Sequence, residues 1–159
     1  GLVLVMHSGV LAILATLWRA AGMNVAPVMR APVASKSLSD FWSTRWNIPF
    51  TEMLRATVLK PARRLFGRHG AVLACFLVSG VLHDVAISLP VQAGYGLPTL
   101  YFLLHGVLVL VERWLEQRGI ALSSSWIGRV WCFAWIVGPL PLLMHEPFIK
   151  GVVMPVFGH

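Results

Sequence analysis

The chain is predicted to be all-α: a polytopic membrane helix bundle of about four transmembrane helices plus an interfacial amphipathic helix. Three observations predict this. First, 57% of the 159 residues are Ala, Val, Ile, Leu, Met, Phe, Trp, Tyr or Cys and only 12% are charged, where soluble domains carry about 25% charge. Thirteen basic and six acidic side chains are too few to coat a soluble domain of this length, and a mean hydropathy of +0.75 excludes a disordered chain. Second, apolar runs of nearly twenty residues recur, the length that crosses about 30 Å of hydrocarbon. Third, the basic residues fall almost entirely between particular runs. Together these define one integral-membrane domain over residues 1–159.

The spans are expected at 2–18, 70–89, 97–115 and 126–144. The first carries no charge, and His7 and Ser8 are its notable polar positions. The second is apolar except for Ser79, His83, Asp84 and Ser88, and the third holds His105 before charge returns at Glu112 and Arg113. The fourth should bend or break at Gly138, Pro139 and Pro141, because proline removes a helical hydrogen bond and clashes with the preceding turn. Residues 19–69 contain nine Lys and Arg against Asp40 and Glu52, and the third connection adds Arg113, Arg118 and Arg129. With four alternating spans, twelve of thirteen basic residues (nine plus three) face one side. Cytoplasmic loops collect Lys and Arg, so 19–69 is expected to be cytoplasmic.

That basic segment has internal structure. Pro27, Pro32 and several serines make 25–39 largely extended. Ser39-Asp40 offers a helix N-cap before Phe41. Phe50, Leu54, Val58, Ala62 and Leu65 recur at helical spacing, predicting a helix in the membrane interface with a break near Pro61. A net charge of +7 would suggest nucleic acid in a soluble protein, but here no nucleic-acid partner is expected. Cys75 and Cys132 sit in apolar runs without metal-type spacing, so they read as packing residues and no metal is expected.

Ionisable residues inside spans are the most informative feature, because each costs about 2.5–3.5 kcal/mol on insertion scales. His83-Asp84 stands almost alone in the second span. Neighbouring helical residues point about 100° apart, so the two need not share a task. Ser79, Cys75 and Ala71 precede His83 at four-residue steps, a small-residue stripe that turns His83 toward the bundle interior. A histidine hydrogen-bonded between helices as packing glue is the alternative. His105 lies at a depth similar to His83 if 70–89 and 97–115 run antiparallel, so both histidines are expected to line one cavity. Two such histidines also allow a haem between helices, and the His-Asp pair allows a proton relay. The run Phe41-Trp42-Ser43-Thr44-Arg45-Trp46-Asn47 is either a second part of the site or an interfacial aromatic belt with a snorkelling cation, which composition alone favours. His145 reads as interfacial.

Ser-Leu-Ser-Asp-Phe-Trp-Ser-Thr-Arg-Trp-Asn at 37–47, with Pro32 before it and a basic amphipathic stretch after it, resembles the motif of wax-synthase-type membrane-bound O-acyltransferases. Phe-Leu-Val-Ser-Gly-Val-Leu-His-Asp at 76–84 resembles the histidine-bearing helix of the same family. The resemblance covers roughly 25–150. It implies acyl transfer from acyl-CoA to the hydroxyl of a lipophilic alcohol, with His83 as general base and Asn47 as the second catalytic residue. Trp42, Arg45, Trp46, Asp84 and His105 would contact substrate. It implies acyl-CoA as co-substrate without a resident cofactor, membrane lipids around the bundle, and further helices N-terminal to a chain corresponding to the family's C-terminal part. Histidine's unperturbed pKa of about 6.5 suits the base role, and an asparagine amide suits a developing oxyanion. One geometric demand follows: Asn47 begins at the cytoplasmic face, so it meets His83 only if residues 40–50 dip inward or the helix tilts strongly.

Overall fold

The structure is a computed structural model that describes residues 27–120, 122–124 and 126–156. Among these the regular elements are helical. A short turn α1 (Leu38–Asp40) continues into a wide turn, Phe41–Arg45, and is followed by α2 (Ile48–Leu54), α3 (Lys60–Val91), α4 (Leu97–Gln117), α5 (Trp126–Val137) and α6 (Leu140–Leu143). Three stretches are long and apolar enough to cross a membrane: Ile48–Val91, Leu97–Gln117 and Trp126–Leu143. The span expected at 2–18 lies outside the described residues.

The helix from Ile48 runs on through a second wide turn, Arg55–Leu59, into α3 without ending at Pro61. Widening the turn directly before a proline moves a carbonyl off its ring, which bends a helix without terminating it. The break expected near Pro61 falls instead at Gly67, whose φ of 68° and ψ of −171° interrupt the helical path. That pairing of a positive φ with an extended ψ is essentially open to glycine alone. Pro32–Ala34 forms a tight helical turn where extended chain was expected, and Ser37 rather than Ser39 caps α1, its Oγ accepting the Asp40 N–H at 3.0 Å. The fourth span breaks as expected, with Gly138 and Pro139 between α5 and α6.

α3 and α4 form the central antiparallel pair. They approach closely at Gly80, where a Cβ would meet the Thr99 Cα at 2.7 Å. Small residues let backbones pack this closely where lipid supplies no hydrophobic drive. Asp84 locks the connection: its carboxylate accepts the Gly96 N–H at 2.9 Å, the Thr99 N–H at 3.1 Å, and the Thr99 and Ser88 hydroxyls. These satisfy donors at the start of α4 that have no partner within the helix. His145, expected to be interfacial, is buried and joins the same lock. Its Nδ1 accepts the Phe148 N–H at 3.3 Å, so in the neutral ring Nε2 carries the proton and donates to Ser88 Oγ at 3.2 Å. The Tyr101 hydroxyl donates to the Ile136 carbonyl at 3.0 Å and ties α4 to α5.

The core sits where Leu38 and Phe41 pack against Val72, Leu108, Val109 and Cys132. Outward positions such as Leu82, Val85 and Leu89 on α3 and Val107 and Trp114 on α4 are exposed. That inversion is the expected outer surface of a bundle whose solvent is hydrocarbon.

Candidate active site

The segment between Leu38 and Asn47 is wedged into the bundle. Phe41 is buried and stacks on Trp46 at 5.3 Å between ring centroids, with Trp42 edge-on to Phe41 at 5.0 Å. Trp42 also reaches Phe76 at 5.9 Å, Phe102 at 5.5 Å and His105 at 5.4 Å. Aromatic pairs contribute about 0.5–1.5 kcal/mol each beyond area burial. The three aromatics therefore belong to the interior, and the aromatic-belt alternative is set aside. At its start the segment meets α4 at Glu112, which holds the Leu38 and Ser39 N–H groups. By Trp42 it has reached Phe102, ten residues nearer the other end of α4, or about 15 Å along the axis. The segment thus reaches the level of Phe102, which packs on the His83 ring.

Asn47 sits at the start of α2 with φ 41° and ψ 61°. Asparagine is among the few residues other than glycine that adopt this left-handed conformation. Its side chain does not cap α2. The Thr51 hydroxyl secures the bend by donating to the Trp42 carbonyl at 3.1 Å.

A cavity of about 300 Å³ opens between this segment, α2 and α3. Asn47, Trp42 and Trp46 line it together with Ser79, His83 and Phe102. His83 is half-buried, and Phe102 packs on its ring at 4.2 Å. His83 Nδ1 lies 2.7 Å from the Ser79 carbonyl. A carbonyl only accepts, so Nδ1 bears the proton and the lone pair of the neutral ring is on Nε2. The helix thereby selects the tautomer a general base needs.

Arg55, Arg63, Arg68 and Arg113 line the same cavity. Arg68 precedes His83 by fifteen residues, about 22 Å along α3. Arg68 and Arg113 also line an adjoining polar recess of about 380 Å³ with Ser39, Glu116 and Gln117. Arg63, Arg68 and Arg113 form no ion pair among the described residues. The composite space has a basic end and an apolar end that holds the histidine. The convergence of Arg113 with Arg68 was hidden in sequence, since they belong to different connections.

Three residues expected at the site stand off the cavity wall. Arg45 donates through Nε to Asp40 at 2.7 Å and reaches the Ala31 carbonyl at 3.3 Å, stapling the turn. Burial pushes the Asp40 carboxyl up, but hydrogen bonds from Thr44 and Arg45 outweigh it and hold the group below its ordinary value. Asp84 faces the α3–α4 connection, on a different side of the helix from His83. His105 is fully buried against Tyr101 and Trp42, and its Nδ1 is 2.8 Å from the Tyr101 carbonyl. The expectation that His83 and His105 line one cavity is corrected: His105 is not on the cavity wall, and Trp42, which is, packs against it. Nor are Ser88, His145 and Asp84 a nucleophile triad, because the serine is buried and the carboxylate faces its hydroxyl rather than the imidazole.

No solved structure matches the chain. Among curated proteins it is 36% identical over 105 residues to the long-chain-alcohol O-fatty-acyltransferase of Simmondsia chinensis, covering 60% of this chain and 30% of that protein. It is 36% identical over 118 residues to the probable long-chain-alcohol O-fatty-acyltransferase 1 of Arabidopsis thaliana, covering 65% of this chain and 35% of that protein. It is 36% identical over 132 residues to the acyl-CoA–sterol O-acyltransferase 1 of the same plant, covering 70% and 38%. The chain thus spans about a third of the length of the first relatives it matches. Residues 25–104, half of the chain, match the family described as Membrane bound O-acyl transferase, and they contain both the 37–47 segment and the 76–84 helix. By its sequence the chain belongs to the membrane-bound O-acyltransferase family.

Proposed function

We propose that the 300 Å³ cavity is the acyl-transfer site of an enzyme that joins an acyl-CoA to a lipophilic alcohol. The observation that carries this reading is one cavity lined by His83, with Nε2 left as its acceptor, by Asn47 and by four arginines, of which Arg68 and Arg113 stand at the end away from His83. His83 Nε2 takes the proton from the alcohol hydroxyl as the oxygen bonds to the thioester carbonyl carbon. The carbonyl electron pair moves onto oxygen, where the Asn47 amide donates a hydrogen bond. When the intermediate collapses the C–S bond breaks, and the departing thiolate takes the proton back from the His83 imidazolium. The products are the ester and CoA, with the base restored.

The arginines suit the other end of the donor. CoA carries its phosphates at the far end of a long arm from the thioester, and guanidinium groups bind phosphate oxygens bidentately. Such a donor arrives from the cytosol, in keeping with a cytoplasmic 19–69 segment. The apolar wall provided by Trp42, Phe76 and Phe102 suits an acyl chain or alcohol entering from lipid.

The test is direct. Membranes carrying the protein are incubated with labelled acyl-CoA and a panel of alcohols that includes long-chain alcohols, a diacylglycerol and a sterol, and the esters are extracted. Labelled ester with a long-chain alcohol supports the reading. Ester with the sterol alone would move the acceptor toward the sterol-acylating relative. No ester with any acceptor overturns it.

A further inference from the structure

We infer that Glu112 is a positioning residue that fastens the Leu38–Asn47 segment against α4 at the depth where Trp42 and Asn47 line the cavity. The inference rests on the acyl-transfer reading above. Glu112 lies within an apolar span, is 0% exposed, and forms no ion pair among the described residues. A buried carboxylate without a cation is costly unless both oxygens are hydrogen-bonded. Here they are divided between two successive backbone donors: the Leu38 N–H reaches Oε1 at 3.0 Å and the Ser39 N–H reaches Oε2 at 2.8 Å. The carboxylate thus satisfies the open N–H groups of α1 from 73–74 residues away in the chain.

Glu112 does not line the cavity, so it does not touch substrate. Its effect passes through what it holds. Ser39 lines both the main cavity and the basic recess, and Trp42, one helical turn on, packs against Phe76 and Phe102. The shape explains why a carboxylate is required. A glutamine offers one acceptor oxygen and turns an NH₂ toward the second N–H, and an alanine offers neither. The arginines are carried by α3, α4 and the wide turn before α3 rather than by the anchored segment. That segment touches them only through Ser39 in the recess and through the Ser43 carbonyl, an acceptor for Arg55, so donor binding depends on the anchor less than the chemistry does.

The experiment compares Glu112→Gln and Glu112→Ala with wild type in membranes, with turnover normalised to folded protein. Displacing catalytic groups by about 1 Å costs about 10²-fold, so Glu112→Ala is expected to lower kcat about that much. Losing one charge-assisted hydrogen bond predicts a roughly tenfold loss for Glu112→Gln. KM for acyl-CoA should change less than kcat in both. A residue that only stabilised the fold would reduce the amount of folded protein while leaving kcat per folded molecule intact, and that result overturns the inference. A second arm needs no catalysis. Ser35 is 0% exposed, so Ser35→Cys, with Cys75→Ala and Cys132→Ala, reports release of the segment by its maleimide labelling rate. Adding Glu112→Ala should raise that rate about tenfold, and an unchanged rate overturns the inference. Should wild type make no ester with any alcohol, the acyl-transfer reading falls, and the labelling rate alone decides the anchor.

Discussion

Replacing Gly80 with alanine probes the contact on which the site's geometry depends. The added Cβ would lie 2.7 Å from the Thr99 Cα, 3.2 Å from the Thr99 carbonyl oxygen and 3.3 Å from the Phe102 Cβ. Carbon atoms settle at about 3.5–4.0 Å, so α3 and α4 must separate by roughly 1 Å at this level. The nearest obstacle is backbone, which cannot rotate away as a flexible side chain would. Overpacking costs about 1–3 kcal/mol, and the upper end applies here. Alanine's better helix propensity returns about 1 kcal/mol, leaving a net destabilisation of about 2 kcal/mol. Function suffers separately. Phe102 packs on the His83 ring and on Trp42, so parting the helices shifts the histidine relative to the 41–47 segment. A displacement of about 1 Å lowers kcat by up to about 10²-fold. The assay is thermal unfolding in detergent beside turnover per folded molecule in membranes. Gly67→Ala is the contrasting case: nothing lies within 4 Å of its Cβ, so its cost is backbone strain alone, about 1–3 kcal/mol, with no parting of α3 from α4. Wild-type stability and turnover in Gly80→Ala would refute the reasoning.

The remaining predictions concern other contacts. Asp84→Asn removes an acceptor oxygen from the cap of α4 and should lower stability by about 2 kcal/mol, with activity following the folded fraction. Lost turnover in a fully stable Asp84→Asn protein would instead place Asp84 in the chemistry. Arg68→Ala and Arg113→Ala should each raise KM for acyl-CoA about tenfold, and high salt should weaken wild type more than the double variant. Unaltered KM values would remove the phosphates from that recess. Asp40 is held below its ordinary value of 3.8, so the folded state binds this proton less readily than the unfolded chain. Its stabilisation is therefore present above about pH 4 and lost as pH falls through the lowered folded value. The stability difference between wild type and Asp40→Asn should shrink as pH falls through that range, and one that persists at low pH contradicts this.

Much of this arrangement was legible in the sequence because it follows from local rules. The apolar runs, the break at Gly138-Pro139 and the small-residue stripe before His83 each depend on neighbours within a turn or two. The stripe at Ala71, Cys75 and Ser79 correctly turned His83 inward, since all three line the cavity with it. What escaped were contacts between distant segments. Ser39 looked like the cap of α1, yet the helix begins at Leu38, so Ser37 takes that place and Ser39, inside the first turn, gives its N–H to Glu112. Matched depth suggested that His105 shares the cavity with His83, but depth along a helix says nothing about azimuth, and His105 packs behind Trp42 instead. His145 looked interfacial because its partner Ser88 is 57 residues away. Pro61 announced a break that a widened turn absorbed, and the interruption passed to Gly67.

The central claim is that His83 performs the base chemistry in a cavity it shares with Asn47. Release of CoA from labelled acyl-CoA, measured in membranes with His83→Ala at wild-type levels of folded protein, tests it most directly. The account predicts that alcohol-dependent CoA release is abolished while binding of the acyl-CoA at the arginine end persists. Unchanged turnover in a folded His83→Ala protein would contradict it.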